Sequence, residues 1–321
     1  MQPIVEMALQ KGVARKIPAR AAAGGDDGAV IVDLTAEGLD EAVLVKSDGA
    51  STYLLRDLAT IRYRKEQWRF WKNLYVVDMR QSHHFKQVFR VAALLGFEGV
   101  GESEHISYGF VKMPEGGAVS TRAGNIVSLE KVMDEAVEKA AAVIREKNPN
   151  LENADVVARM VGIGALKYFD LSHHRASDIV FSWDQALSFD GNAGPYVQYT
   201  HARLKSILRK VQSSTFESRA SGRGKSKVEM KDVGMDSLEH RIAAAVLRFP
   251  EAMEDALADY APSTLAQYLY GIAKLANEFY HSHPVMQEED SVKKHFRAAL
   301  VSAVAATLAN GLSLLGIESP E

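Results

Sequence analysis

Cysteine is absent from all 321 residues, which excludes disulfides and thiolate metal sites. No basic-then-apolar leader opens the chain between Met1 and Ala23, so a cytoplasmic location is expected. Neither sign of charge dominates: 38 Lys and Arg stand against 41 Asp and Glu, and the molecule as a whole does not advertise nucleic-acid binding. No internal repeat is visible. The only stretch with the length of a membrane span and no charge, Ala298 to Ile317, is diluted by Ser302, Thr307, Asn310, Gly311, Ser313 and Gly316. It closes a region of amphipathic helices, so a buried helix and no membrane role are expected. What remains is 47% hydrophobic and 25% charged residues, the balance of a globular chain rather than a disordered or fibrous one. The length suits about two domains, each large enough to bury a core.

The first half alternates apolar β-type runs with helix-period segments. Ala29 to Leu34 and Ala42 to Val45 read as strands, Thr52 to Trp71 as a helix, Leu74 to Val77 as a strand and Ser82 to Leu95 as a helix. This α/β pattern predicts parallel strands joined by crossover helices. After a strand at His105 to Lys112, nearly everything from Ser128 reads as helix: Ser128 to Lys147, with Ser128 as N-cap and Glu130 in the first turn, then Asp155 to Tyr168, Gly194 to Gln212, Leu238 to Tyr260, Ser263 to His281 and Val292 to Leu315. A helix bundle is expected there, with the boundary near Trp183 to Asn192.

Within Ser47 to Asp57, Tyr53 and Asp57 lie one helical turn apart and share a face. The positions three and four residues away that could neutralise Asp57 within the helix, Leu54, Thr60 and Ile61, are not basic. A free arginine is a natural partner because a guanidinium meets a carboxylate as a bidentate fork; a distant Lys or Arg, or water, is the alternative. Gln81 lies just past a strand end, where open α/β sheets bind ligands, and either contacts a bound amino acid or caps a helix. His84 and Lys86 follow closely.

The loop Pro114 to Asn125 holds glycines, hydroxyls and a single cation, Arg122. Such a loop can close over a triphosphate or merely connect two elements. Between Arg203 and Lys231, nine basic residues outnumber two acidic ones, a patch that could neutralise phosphates or a solvated linker. Tyr196 and Tyr199 offer flat faces for an unstacked base, with Arg203 and Lys205 placed for phosphates; Tyr196, Tyr199 and Leu204 also form a stripe that would pack in a core.

Four segments, Ser47 to Asp57, Tyr75 to Gln87, Ser120 to Asn125 and Gly191 to Arg203, resemble arginyl-tRNA synthetases in order and spacing. The resemblance runs from about Gly24 to Glu321 but covers only the later part of that family's sequence. It implies an α/β domain followed by an all-α one: the C-terminal half of a class I Rossmann-like nucleotide-binding domain over residues 1–185, then a helical anticodon-binding bundle over 186–321. It further implies arginine recognition by Tyr53, Asp57 and Gln81, ATP contacts from His84, Ser120, Arg122 and Gly124, a catalytic loop with Ser120, Thr121 and Arg122, and tRNA contacts from Tyr196, Tyr199, Arg203 and Lys205. The loop is a degenerate form of the class I Lys-Met-Ser-Lys-Ser motif, with Ala118 and Thr121 where the lysines would stand. The lack of cysteine counts against the related cysteinyl enzyme, which needs cysteine ligands for zinc.

The other class I element, His-Ile-Gly-His, does not occur. His83-His84 and His173-His174 are adjacent pairs without the intervening glycine. The resemblance therefore implies an arginine–tRNA ligase portion, with ATP as substrate, Mg2+ beside it, no tightly bound cofactor and no protein-held metal, working with tRNA(Arg), L-arginine and a missing N-terminal half. Alone it is expected to form little or no arginyl-adenylate. A noncatalytic tRNA-binding or assembly protein derived from such an enzyme is the alternative, and a nucleotidyltransferase without RNA substrate leaves the helical half unexplained.

Overall fold

The computed structural model describes residues 1–17, 28–113, 128–220 and 234–321. These form two compact units, Met1–Phe110 and Val111–Glu321.

The first unit opens with α1 (Gln2–Gln10), which the strand-based reading did not foresee, followed by β1 (Arg15–Lys16), β2 (Val30–Val32) and β3 (Ala42–Val45). These three strands form an antiparallel sheet in the order β1-β2-β3, not the parallel layer expected. A parallel return needs a crossover of a dozen or more residues. The β2–β3 link holds only a short 3₁₀ turn, Thr35–Glu37. Next come α2 (Tyr53–Trp68), β4 (Asn73–Asp78), α3 (Ser82–Leu95) and β5 (Ser103–Tyr108). Here α3 is a true crossover, and β4 and β5 pair in parallel from Asn73↔Ser103 to Asp78↔Tyr108.

The start of α2 is fixed by Thr52. Its hydroxyl accepts the Leu55 N–H at 3.4 Å and donates to the Val43 carbonyl at 2.7 Å, capping the helix while tying it to β3. Leu54, Leu58 and Ile61 then fall on one buried face. The helix ends at Arg69, in the left-handed region at φ 44°. Phe85, Val88, Val91, Ala92 and Leu95 of α3 complete this core. On the opposite side of β4, Leu74 and Val76 are exposed, Val76 by 64%. They share that face with Tyr108, whose partner across the ladder is Asp78.

The second unit begins with β6 (Val111–Lys112), so the strand expected over His105 to Lys112 is two strands in two sheets. It continues through α4 (Leu129–Lys147), α5 (Ala154–Leu171), β7 (Ile179–Val180), which pairs with β6 in parallel, and α6 (Trp183–Ala186). The remaining helices are α7 (Gly194–Ala220), α8 (Ser237–Leu247), α9 (Phe249–Ala258), α10 (Pro262–Ser282) and α11 (Ser291–Leu314). The single helix expected over Leu238 to Tyr260 is broken between α8 and α9, where Pro250 has no N–H to continue the ladder. At Gly162 of α5 a Cβ would lie 2.7 Å from the Ala136 carbonyl of α4, so these helices meet backbone to backbone. The apolar α11 has the length and composition to cross a membrane. It lies in the bundle, where Leu300, Val301, Val304, Leu308 and Leu312 are buried with Leu269 and Ile272 of α10 and Val197 and Leu204 of α7.

One charged network crosses this core. Glu239 is 0% exposed and Arg297 7%. Arg297 donates from Nε to Glu239 Oε1 at 2.8 Å and from Nη1 to Glu288 Oε2 at 2.7 Å. Glu239 Oε2 accepts the Asp236 N–H, and Asp236 caps α8 through Leu238 and Glu239 N–H while its other oxygen meets His283 Nε2 at 2.7 Å. These bonds, led by that from Glu239 N–H, hold the Asp236 carboxyl down at about 2. The ligand atoms of Asp236, Glu239 and His283 converge within 4.8 Å, but each is taken by an internal partner.

Truncating Arg297 to Ala leaves Glu239 buried without its counter-charge, and urea denaturation should show a loss of about 3–5 kcal/mol. His201 supplies a pH dependence. Burial, the largest cause, holds its imidazole below the ordinary 6.5, against the pull of its bond to the Pro320 carbonyl at 2.9 Å. The unfolded imidazole therefore protonates first. Stability should be full above that ordinary value and fall as pH drops through it towards the folded pKa; melting temperatures of His201→Gln should flatten this decline.

Candidate functional site

Where β4 ends, Asp78 turns the chain. Its Oδ1 accepts the Arg80 N–H at 2.9 Å, and its carboxylate pairs with the Arg80 guanidinium at 3.0 Å. Arg80, the largest cause, holds the Asp78 carboxyl below the usual range. This closes a 3₁₀ turn, Met79–Gln81, and delivers Gln81, exposed, to the N-terminus of α3. Gln81 is the N-cap residue by position but makes no side-chain cap bond.

One turn further, His84 Nε2 reaches Asp57 Oδ2 at 2.7 Å. The partner of Asp57 in this structure is thus an imidazole, neither a distant Lys or Arg nor water alone. The bond joins α2, one turn beyond Tyr53, to the first turn of α3, just after Gln81. Tyr53 is 77% exposed, with the Arg56 guanidinium 5.5 Å from its ring centroid. The three arginines of α2 are engaged elsewhere: Arg56 Nε meets Ser51 at 3.3 Å, Arg62 Nε meets Glu66 at 2.8 Å, and Arg64 donates to Asn73 at 3.0 Å. Beneath the pair lies an aromatic cluster. Phe85 stacks on His105 at 4.7 Å and packs against Tyr75 at 4.8 Å, and His105 Nε2 bonds to the Val77 carbonyl at 3.0 Å. The first unit therefore brings together Tyr53, Asp57, Gln81 and His84 at the carboxyl end of β4. Of these contacts the sequence concealed only Asp57 with His84, because 27 residues and a strand separate them. His83 points instead to Asp40 at 3.3 Å. Ser120, Thr121, Arg122, Gly124 and the rest of the expected phosphate loop lie outside the described residues.

In the second unit, Arg203 is packed between two rings, with its guanidinium 4.7 Å from the Tyr199 centroid and 4.6 Å from Tyr280. It also donates to Asn277 Oδ1 at 2.6 Å, and Asn277 donates to Thr200 at 2.8 Å. Tyr199 and Tyr280 are each more than two-fifths exposed. Tyr196 is half-buried against Tyr270 at 5.6 Å and borders a 410 Å³ cavity with Arg241, Lys274 and Glu278. Lys205 is paired with Glu321 at 2.6 Å. Tyr280 escaped the sequence reading; its spacing from Asn277 on α10 was the available signal. Two further aromatics of the bundle are structural: Phe279 is buried on His283, and Tyr268 bonds to the Ala245 carbonyl at 2.8 Å. Of the basic stretch, the side chains of 213–233 lie outside the described residues.

Residues 6–183 match the model of the class I (R) tRNA synthetase catalytic domain, and residues 197–321 match the DALR anticodon binding domain. The arginine–tRNA ligase of Alkaliphilus metalliredigens (strain QYMF) is 42% identical over 294 residues, covering 92% of this chain and 50% of that protein. That of Halothermothrix orenii (strain H 168) is 37% identical over 321 residues, covering 100% of this chain and 53% of its own. The structure of Thermus thermophilus arginyl-tRNA synthetase superposes with a TM-score of 0.82 at 29% identity, covering 100% of this chain and 57% of that one. The chain spans about half the length of the curated relatives it matches. With its α/β first half, its helical bundle and these matches in register, the chain belongs to the class I (R) tRNA synthetases and carries a DALR anticodon-binding domain.

Proposed function

We propose that this chain takes part in the arginine–tRNA ligase reaction, in which ATP, L-arginine and tRNA(Arg) give arginyl-tRNA(Arg), AMP and diphosphate. The observation that carries this reading is the Asp57 carboxylate, placed beside Tyr53 and Gln81 and bonded to an imidazole rather than to a protein guanidinium. A carboxylate has about four lone-pair sites, so after His84 is served Asp57 can still accept a guanidinium. Gln81 is free of capping duty to meet the rest of the amino acid, and the exposed Tyr53, one helical turn before Asp57, supplies an aromatic face. In the first of the two class I steps the arginine carboxylate is joined to AMP; holding the side chain at Asp57 fixes that carboxylate for attack, which is positioning catalysis. Ser120, Thr121, Arg122 and Gly124 are proposed for the triphosphate, with Arg122 supplying positive charge. Mg2+ would arrive with the nucleotide: among the described residues the one convergent carboxylate–histidine group, Asp236, Glu239 and His283, has its ligand atoms already engaged.

The proposed division is a partial catalytic domain over 1–185 and an anticodon-binding domain over 186–321, in keeping with the two matched spans. In the latter, Tyr199, Tyr196 and Arg203 offer stacking faces and a cation to unpaired nucleotides, and Lys205 a phosphate contact. A cytoplasmic location fits this role. The proposed protein partner is a polypeptide equivalent to the part of the relatives that this chain does not span. Parallel sheets are covered on both faces, and the exposed Leu74, Val76 and Tyr108 present such a face on β4 and β5.

Aminoacylation of tRNA(Arg) by the chain alone should be near zero, and should rise on adding a polypeptide spanning the remainder of a relative; full activity alone would remove the need for that partner. Asp57→Ala should weaken arginine binding roughly 100-fold, since hydrogen bonds to charged groups are worth about 1.5–3 kcal/mol each, while the circular dichroism spectrum stays that of the folded chain. Arg203→Glu with Lys205→Glu should weaken tRNA binding and reduce its log–log salt slope by roughly 1–2. An unchanged slope would place the RNA contact elsewhere.

A further inference from the structure

The geometry points to His84 as the positioning residue of the guanidinium site: its Nε2–H holds Asp57 Oδ2 so that the remaining lone pairs of the carboxylate face the incoming arginine side chain. This rests on the reading of Asp57 as the arginine-binding carboxylate. It moves His84 from the nucleotide, where the resemblance put it, to the amino acid.

Three observations support the assignment. The Nε2···Oδ2 distance is 2.7 Å, short enough for a charge-assisted bond to an ionised carboxylate. Both side chains remain open to solvent, His84 by 25% and Asp57 by 29%, so the pair borders space a ligand can enter and is not a sealed core contact. His84 also stands on a firm base. The next residue, Phe85, is buried and locked among Tyr75, Phe89 and His105, and the His84 ring lies edge-on to it at 5.2 Å.

The choice of an imidazole has a chemical consequence. Arg56 and Arg64 lie on the same helix as Asp57 yet bond to Ser51 and Asn73. A guanidinium from either would occupy the fork that a substrate guanidinium needs. An imidazole N–H takes one lone pair and leaves both oxygens available, so it orients the carboxylate without filling the site. A carboxylate on a short side chain has little rotamer freedom to lose. Fixing its plane still sets whether two parallel N–H···O bonds to a planar guanidinium form together.

The test is L-arginine binding to the full chain by calorimetry, using wild type, His84→Ala, His84→Gln and Asp57→Ala. Glutamine places an amide N–H near the position of imidazole Nε2. The expected result is an affinity loss of roughly 10-fold or more for His84→Ala, in line with one hydrogen bond to a charged group, and recovery of most of it in His84→Gln. Equal affinity in His84→Ala and wild type overturns the proposal, as does a glutamine variant no better than alanine. A second measurement needs no variant: in ¹⁵N spectra of the wild-type histidines, arginine should shift the His84 Nε2 resonance, and an unmoved resonance at saturation overturns the role even if His84→Ala does not fold. The two readings fail differently. Arginine binding that survives Asp57→Ala, or is absent from wild type, removes the site itself; binding lost in Asp57→Ala but untouched in His84→Ala removes only the positioning role.

Discussion

A buried charge must be answered in full or it unfolds its surroundings, and in the helical unit that constraint falls on Arg297. Its guanidinium serves Glu239 and Glu288 together, and Glu239 in turn receives the backbone at the start of α8. The start of α8 is also where Asp236 receives His283 from the end of α10. Three helices are thereby fixed in register by groups that an apolar core could not have oriented. The apolar packing of Leu269, Ile272, Leu308 and Leu312 supplies bulk stability, while this polar chain selects one arrangement of the helix ends. Tyr168 does the same further along, bonding both Asn192 and the Ala266 carbonyl.

The first unit solves a different problem, the delivery of polar side chains to one end of a parallel strand pair. Thr52 fixes where α2 begins, and Asp78 fixes how β4 hands over to α3. Each uses a short side chain to satisfy backbone groups that a helix start leaves open. The result is two helix beginnings side by side, which is why residues 27 positions apart can meet in one hydrogen bond. The aromatic layer under them is tightly interlocked, so the mouth rests on a surface with little freedom to relax.

Much of this was legible in the residues. Helices with a clear apolar period, such as α3 and α10, stand where the spacing puts them, and Tyr53 and Asp57 share a face because the 3.6-residue period dictates it. Other features are masked in the sequence, α1 and the split between β5 and β6 among them. The antiparallel β1–β3 sheet depends on link length, a weaker signal than the α/β rhythm around it. The break between α8 and α9 rests on one proline inside an otherwise continuous apolar pattern. The Asp57–His84 bond and the clamp of Tyr199, Arg203 and Tyr280 are tertiary contacts between elements, and no local pattern encodes them. For Arg203 the sequence gives charge and position but not the partners the fold supplies, two rings and an amide.

The exposed side of the β4–β5 ladder has a consequence for handling the molecule. Leu74, Val76 and Tyr108 lie together beside a strand that, among the described residues, is paired along one edge only. Apolar side chains next to unpaired backbone donors and acceptors form a template for another strand. In dilute solution that surface is merely wetted; as concentration rises it favours edge-to-edge association of like chains.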